Sequence, residues 1–210
     1  MNDRDKIRAI EEKLALLREL DGDRILFGAK NHNYSLNETL SESEIASFEK
    51  DHSIILPQDY RLFLLRVGNG GAGPYYGLER LEDALFADLD NKEESERVDP
   101  STPFPLSEPW KMRFDGDEED IAALKVFEEE YFAPKWETGL LRIANYGCGV
   151  WFNLIVNGPE FGNIWVDDRA GDGGLFPDNY YGQTSRTTFL DWYELWLDES
   201  LHEAKVRSGT

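Results

Sequence analysis

The chain has 210 residues, 40% of them hydrophobic, with 42 Asp plus Glu against 22 Lys plus Arg and a net charge of −20. That length supports one substantial core, and so acidic a chain excludes phosphate backbones and anionic membranes as partners. A basic protein or a cationic ligand is favoured, because opposite fields speed encounter and reject wrong partners.

Ile7, Ile10, Leu14 and Leu17 fall at helical spacing and predict an amphipathic helix over 3–20, stopped by "DGD" at 21–23. Ser41 and Glu44 form a capping-box pattern that opens a second helix. Pro57 suits the first position of a third, with Tyr60, Phe63, Leu64 and Val67 on one face and "GNGGAGP" at 68–74 as its stop. Ile121, Leu124, Phe127 and Tyr131 predict a fourth, ending before Pro134. "LLRIAN" (140–145), "VWFNLIVN" (150–157) and "NIWVDD" (163–168) read as strands, the last two joined as a hairpin through "GPEFG". Thr187 or Thr188 caps a closing helix bearing Phe189, Trp192, Tyr193, Trp196 and Leu197. The expected class is α+β, an antiparallel sheet flanked by helices at both ends of the chain.

One domain over 1–210 is expected, with 1–35 as a helical extension. Residues 79–130 read as an acidic insertion, since 18 acids and 6 bases place −12 of the −20 there. No window approaches ~18 consecutive apolar residues, and "MNDRDKIRAIEEKL" has no apolar core of a secretory signal. The single cysteine, Cys148, permits no internal disulfide, which suits a reducing compartment. A cytoplasmic location is the expectation.

Several motifs invite a chemical reading. The glycine run at 68–73 lacks the lysine and hydroxyl residue of a phosphate loop and follows a helix, so it reads as a helix stop. His32, His52 and His202 are scattered, and "DGDEED" at 115–120 lacks the glycine and distal glutamate positions of a calcium loop, so no metal site is expected. Cys148, between Gly147 and Gly149, has no CxxC partner and is expected to be a small buried side chain. The Asp167–Asp168 pair beside tryptophans is the strongest enzyme signal, because two carboxylates flank the bond cleaved in glycoside hydrolysis. Neighbours on a strand point to opposite faces, so these acids, with Asp172 across the turn, are expected to hydrogen-bond the loop backbone instead. Trp151 and Trp165 on facing strands, and Trp192 and Trp196 on one helix face, are expected in the core. No cofactor is implied.

"LPQDYRLFLLRVGNGGAG" (56–73) resembles the signature of the SUKH superfamily, in which Leu56 and Pro57 would open a helix carrying Tyr60 and Gly70 and Gly71 would stop it. "YGCGVWFNLIVNGPEFGNIWVDDRAGDGGLFP" resembles the family's second block, with Gly147, Gly149, Gly162 and Trp165 at its marked positions, and "TFLDWYELWLDESL" its closing helix. The three blocks run from about residue 41 to 201. The resemblance implies an α+β fold without catalysis. Its bacterial members are immunity proteins that neutralise a cognate polymorphic toxin, and its fungal members are regulatory scaffolds in cell-wall signalling.

The resemblance and the charge together suggest a non-catalytic immunity protein whose acidic surface fills the cationic cleft of a nucleic-acid-targeting toxin. Residues 145–177 would then be scaffold. Asp115, Asp117, Glu118, Glu119 and Asp120 are the leading partner-binding residues, with the loops around 72–77 and 168–176 as the alternative surface. An intracellular regulatory scaffold and a carbohydrate-active enzyme are the competing readings.

Overall fold

The computed structural model describes residues 3–117 and 119–209. Helix α1 (Asp3–Leu20) buries the predicted stripe of Ile7, Ile10, Leu14 and Leu17. Its partner is the closing helix α6 (Phe189–Ser208). Lys6 pairs with Asp191, and Lys13 pairs with Asp198 at 2.6 Å and Glu194 at 2.7 Å. Both helices advance by the same two turns between these pairs, so they run parallel. The N-terminal helix is therefore part of the main core.

The short α2 (Ala29–His32) leads to α3 (Glu42–Asp51), where the capping box is complete: Ser41 N donates to Glu44 Oε2 at 2.7 Å and Glu44 N to Ser41 Oγ at 3.3 Å. In α4 (Gln58–Arg66) Pro57 is the N-cap, with extended ψ of 138°, so the helix starts one residue later than the sequence suggested. Tyr60, Phe63 and Leu64 are buried against α6, where Phe63 meets Phe189 at 5.1 Å and Tyr193 at 4.9 Å. Asp59, in the first turn of α4, accepts the Leu190 N–H at 3.1 Å, so one helix caps the start of another. Each fully buried large side chain here contributes roughly 1.5–3 kcal/mol.

Strands β1 (Leu140–Gly147), β2 (Val150–Ile155), β3 (Ile164–Asp168) and β4 (Gly174–Pro177) form one antiparallel meander in chain order. The first three match the predicted segments. The fourth is missed by sequence reading, because four residues opening on glycine inside a polar loop carry no periodicity. Single bridges extend both edges, Leu78 to Ala144 beside β1 and Trp110 to Leu175 beside β4. Irregular chain thus covers the exposed edge groups.

All six residues of β2 are buried. On one face Phe152 meets Trp192 of α6 at 5.6 Å. The other face is roofed by the acidic segment, where Phe104 meets Trp165 at 5.0 Å. Leu81, Ala84, Leu85, Val98 and Phe104 of that segment join the main core. Cover on both faces explains why "VWFNLIV" shows no alternation. Helix α5 (Ile121–Tyr131) lies further out and buries only Tyr131.

Candidate functional site

Asp167 and Asp168 point to opposite faces of β3 and have separate roles. Asp167 is 3% exposed and is bound by Arg169 at 2.7 Å and by Arg142 at 3.1 Å. Glu137 completes the cluster, reaching Arg142 at 2.9 Å and Arg169 at 2.6 Å. The expectation that Asp167 chiefly holds loop backbone is therefore corrected: its principal partners are two guanidiniums, and its one backbone partner is the Arg169 N–H, which donates to Oδ1 at 3.3 Å. Burial works against its charge, but the arginines hold its carboxyl below the ordinary range. Asp168 accepts from the Gly171 backbone, and burial raises its carboxyl. The pair does not share a cleft, and the geometry that flanks a glycosidic bond is not formed by it.

The end of the sheet at the β1–β2 turn gathers the loops. Tyr193 of α6 donates its hydroxyl to the Ala72 carbonyl at 2.8 Å, pinning the glycine stop to the core. Gly71 has φ +103°, and a side chain there would collide with the Ser35 carbonyl. Gly147, also at +103°, lies under the Tyr76 ring, where a Cβ would come within 2.9 Å. Gly70, Gly149 and Gly162 also adopt positive φ. Among the other motif residues, Leu56 and Trp165 are buried, and Trp165 Nε1 donates to Glu160 at 3.1 Å.

Tyr75 adopts φ +57°, an unusual state for a bulky residue that costs of order 1–3 kcal/mol. Its ring stacks on Phe152 at 4.8 Å. Around it stand Phe27, Tyr76, Tyr146 and Tyr180, exposed by 56%, 40%, 37% and 39%. Phe27 lies 5.2 Å from Tyr76 and 5.8 Å from Tyr146, and Tyr146 lies 5.6 Å from Tyr180. Sequence reasoning passed over these rings. A local signal exists: each precedes a positive-φ glycine by one or two residues (Gly28, Gly77, Gly147, Gly182). Phe161–Gly162 repeats the pattern in the β2–β3 loop, at the other end of β2.

Cys148 occupies the tip of the β1–β2 turn at φ +56° and is exposed, which corrects the expectation of a buried side chain. Two flanking glycines make a turn, and a turn tip faces solvent. Asp178, beneath Tyr180, is buried and receives the Tyr180 N–H at 3.2 Å. Burial pushes its carboxyl up to about 6.

The acidic cluster leads into helix α5. Helix α5 begins at Ile121 with Asp120 as N-cap, its carboxylate accepting from Ala123 N at 3.1 Å. Asp115, Asp117 and Glu119 precede the helix, all exposed, with Asp117 accepting from Glu119 N at 3.0 Å. Glu118 lies outside the described residues. Among the described residues no group of His, Cys, Asp and Glu is placed to hold a metal ion, and no helix is long and apolar enough to cross a membrane.

The family model described as SMI1/KNR4 family (SUKH-1) matches residues 39–191. The chain is also 32% identical over 60 residues to "Immunity protein RhsIB" of Dickeya dadantii (strain 3937). That segment covers 29% of this chain and 36% of the relative. No solved structure matches.

Proposed function

The chain belongs to the SMI1/KNR4 family (SUKH-1), and from that premise we propose that it is an immunity protein that binds and neutralises a cognate toxin. The observation that carries the reading is how its acids are used. The carboxylate best placed for chemistry, Asp167, is neutralised by two buried arginines, whereas Asp115, Asp117 and Glu119 stand exposed. Exposed carboxylates on a chain of net charge −20 attract a cationic partner and fix its orientation. The partially matched relative named as an immunity protein supports the same role.

The toxin in this reading presents a basic surface of the kind a nucleic-acid-targeting enzyme needs, and the encounter takes place in the cytoplasm. The test is to mix the chain with the toxin domain encoded in the adjoining reading frame and follow complex formation and toxin activity together. A stoichiometric, salt-sensitive complex that silences the toxin is expected. A toxin that keeps full activity beside excess chain overturns the proposal, and several weak partners in its place would favour a regulatory scaffold.

A further inference from the structure

We propose that the exposed rings of Phe27, Tyr76, Tyr146 and Tyr180 anchor the partner interface, and that their occupant is an arginine- or lysine-bearing face of a cationic toxin domain. The partner's identity rests on the immunity reading; the surface rests on its own geometry. Three rings from separate loops and one, Tyr146, from the end of β1 converge around Tyr75, each more than a third exposed. Contiguous exposed apolar surface of this kind marks interaction sites, and tyrosine is enriched where binding energy concentrates.

The surface has a packed floor. Tyr75 forms its floor, stacked on Phe152 of β2, and Gly147 lets the Tyr76 ring lie close over the β1–β2 turn. Rings held this way lose little freedom on binding, which favours affinity.

Carboxylates rim the rings and select the occupant. Glu199 and Glu203 line a cleft of about 200 Å³ together with Phe27 and Tyr75. Glu203 also pairs with Arg207 at 2.7 Å within α6. Asp168 lies within electrostatic reach of Tyr180, and Asp90 accepts from Asn145, next to Tyr146, at 2.7 Å. An apolar partner would strip water from these acids without replacing it. A guanidinium satisfies both features, its face on a ring and its edge on a carboxylate. A second copy of this chain would set the same acids against each other.

The test compares Tyr76→Ala/Tyr180→Ala with Tyr76→Phe/Tyr180→Phe, both checked for wild-type melting, against the toxin domain of the adjoining reading frame. The alanine pair is expected to weaken binding by about 30-fold or more through faster dissociation. The phenylalanine pair keeps the rings and is expected to bind as wild type. If the alanine pair lowers the melt, Tyr146→Ala carries the comparison. Wild-type affinity in the alanine variants overturns the ring surface while leaving the immunity reading intact. If the wild-type chain itself ignores the toxin domain, the immunity reading fails, and the surface is probed by NMR with a tetra-arginine peptide. Shifts centred on Tyr76, Tyr146 and Tyr180 then support it, and shifts confined to other acids overturn it. A dimer of the free chain that the alanine pair dissolves would give the surface to a second copy and also overturn it.

Discussion

Arg169 grips Asp167 through both carboxylate oxygens, Nε to Oδ1 at 2.8 Å and Nη2 to Oδ2 at 2.7 Å, only two residues beyond it in the chain. Arg142, 1% exposed, reaches the same carboxylate from β1 across β2. Removing Asp167 leaves two guanidiniums sharing only Glu137. Asp167→Ala is expected to lower the unfolding free energy by about 3–5 kcal/mol in urea denaturation; a loss within about 0.5 kcal/mol, as at a plain surface site, would contradict the arrangement. Because the native carboxyl is held below its unfolded value, its stabilisation is complete above about pH 4 and is lost as pH falls through the native value.

Asp178 has the opposite sign. Its native carboxyl titrates at about 6, against about 3.9 in an unfolded chain. Between those values the folded state holds a proton that the unfolded state has released, so this contribution is full below pH 4 and lost as pH rises through 6. His32, buried and lowered to about 4 by desolvation and then by Arg24, slopes the other way over part of the same window. Asp178→Asn removes one slope and leaves the other. Relative to the variant, wild type is expected to lose roughly 2–3 kcal/mol between pH 4 and 7. A difference that stays constant across pH would show that Asp178 titrates normally.

Gly71 sits where the chain from Ser35 passes, and Gly71→Val forces a branched side chain into positive φ against that carbonyl. A Tm at least about 5 °C lower is expected. An unchanged melt would mean the glycine stop is dispensable.

Cys148 stands at an exposed turn tip. It is expected to react with a thiol reagent at comparable rates in the folded and urea-unfolded chain, since accessibility no longer separates the two states. Strong protection in the folded chain would place the turn elsewhere.

Neutralising Asp115, Asp117 and Glu119 together tests the acidic cluster. The triple amide variant is expected to associate with a cationic toxin domain several-fold more slowly and with a shallower dependence on ionic strength. Its stability should stay close to wild type, since all three side chains are exposed. Rates and salt slopes equal to wild type would remove the cluster from the recognition surface.

The sequence by itself determined five of the six α-helices described, all but the short α2, and three of the four strands. Ile7 to Leu17, Tyr60 to Leu64 and Phe189 to Leu197 repeat at helical spacing, and Ser41 with Glu44 closes a cap within one turn. Such signals are local, carried by neighbours three or four residues apart. Only the tertiary structure decided which charges are spent and which surface is presented. Asp167 meets Arg142 across 25 residues, Asp59 caps α6 across 131, and the rings at 27, 76, 146 and 180, far apart in the chain, meet around Tyr75. Periodicity records which face of an element is apolar; it carries nothing about which segments the folded sheet brings together.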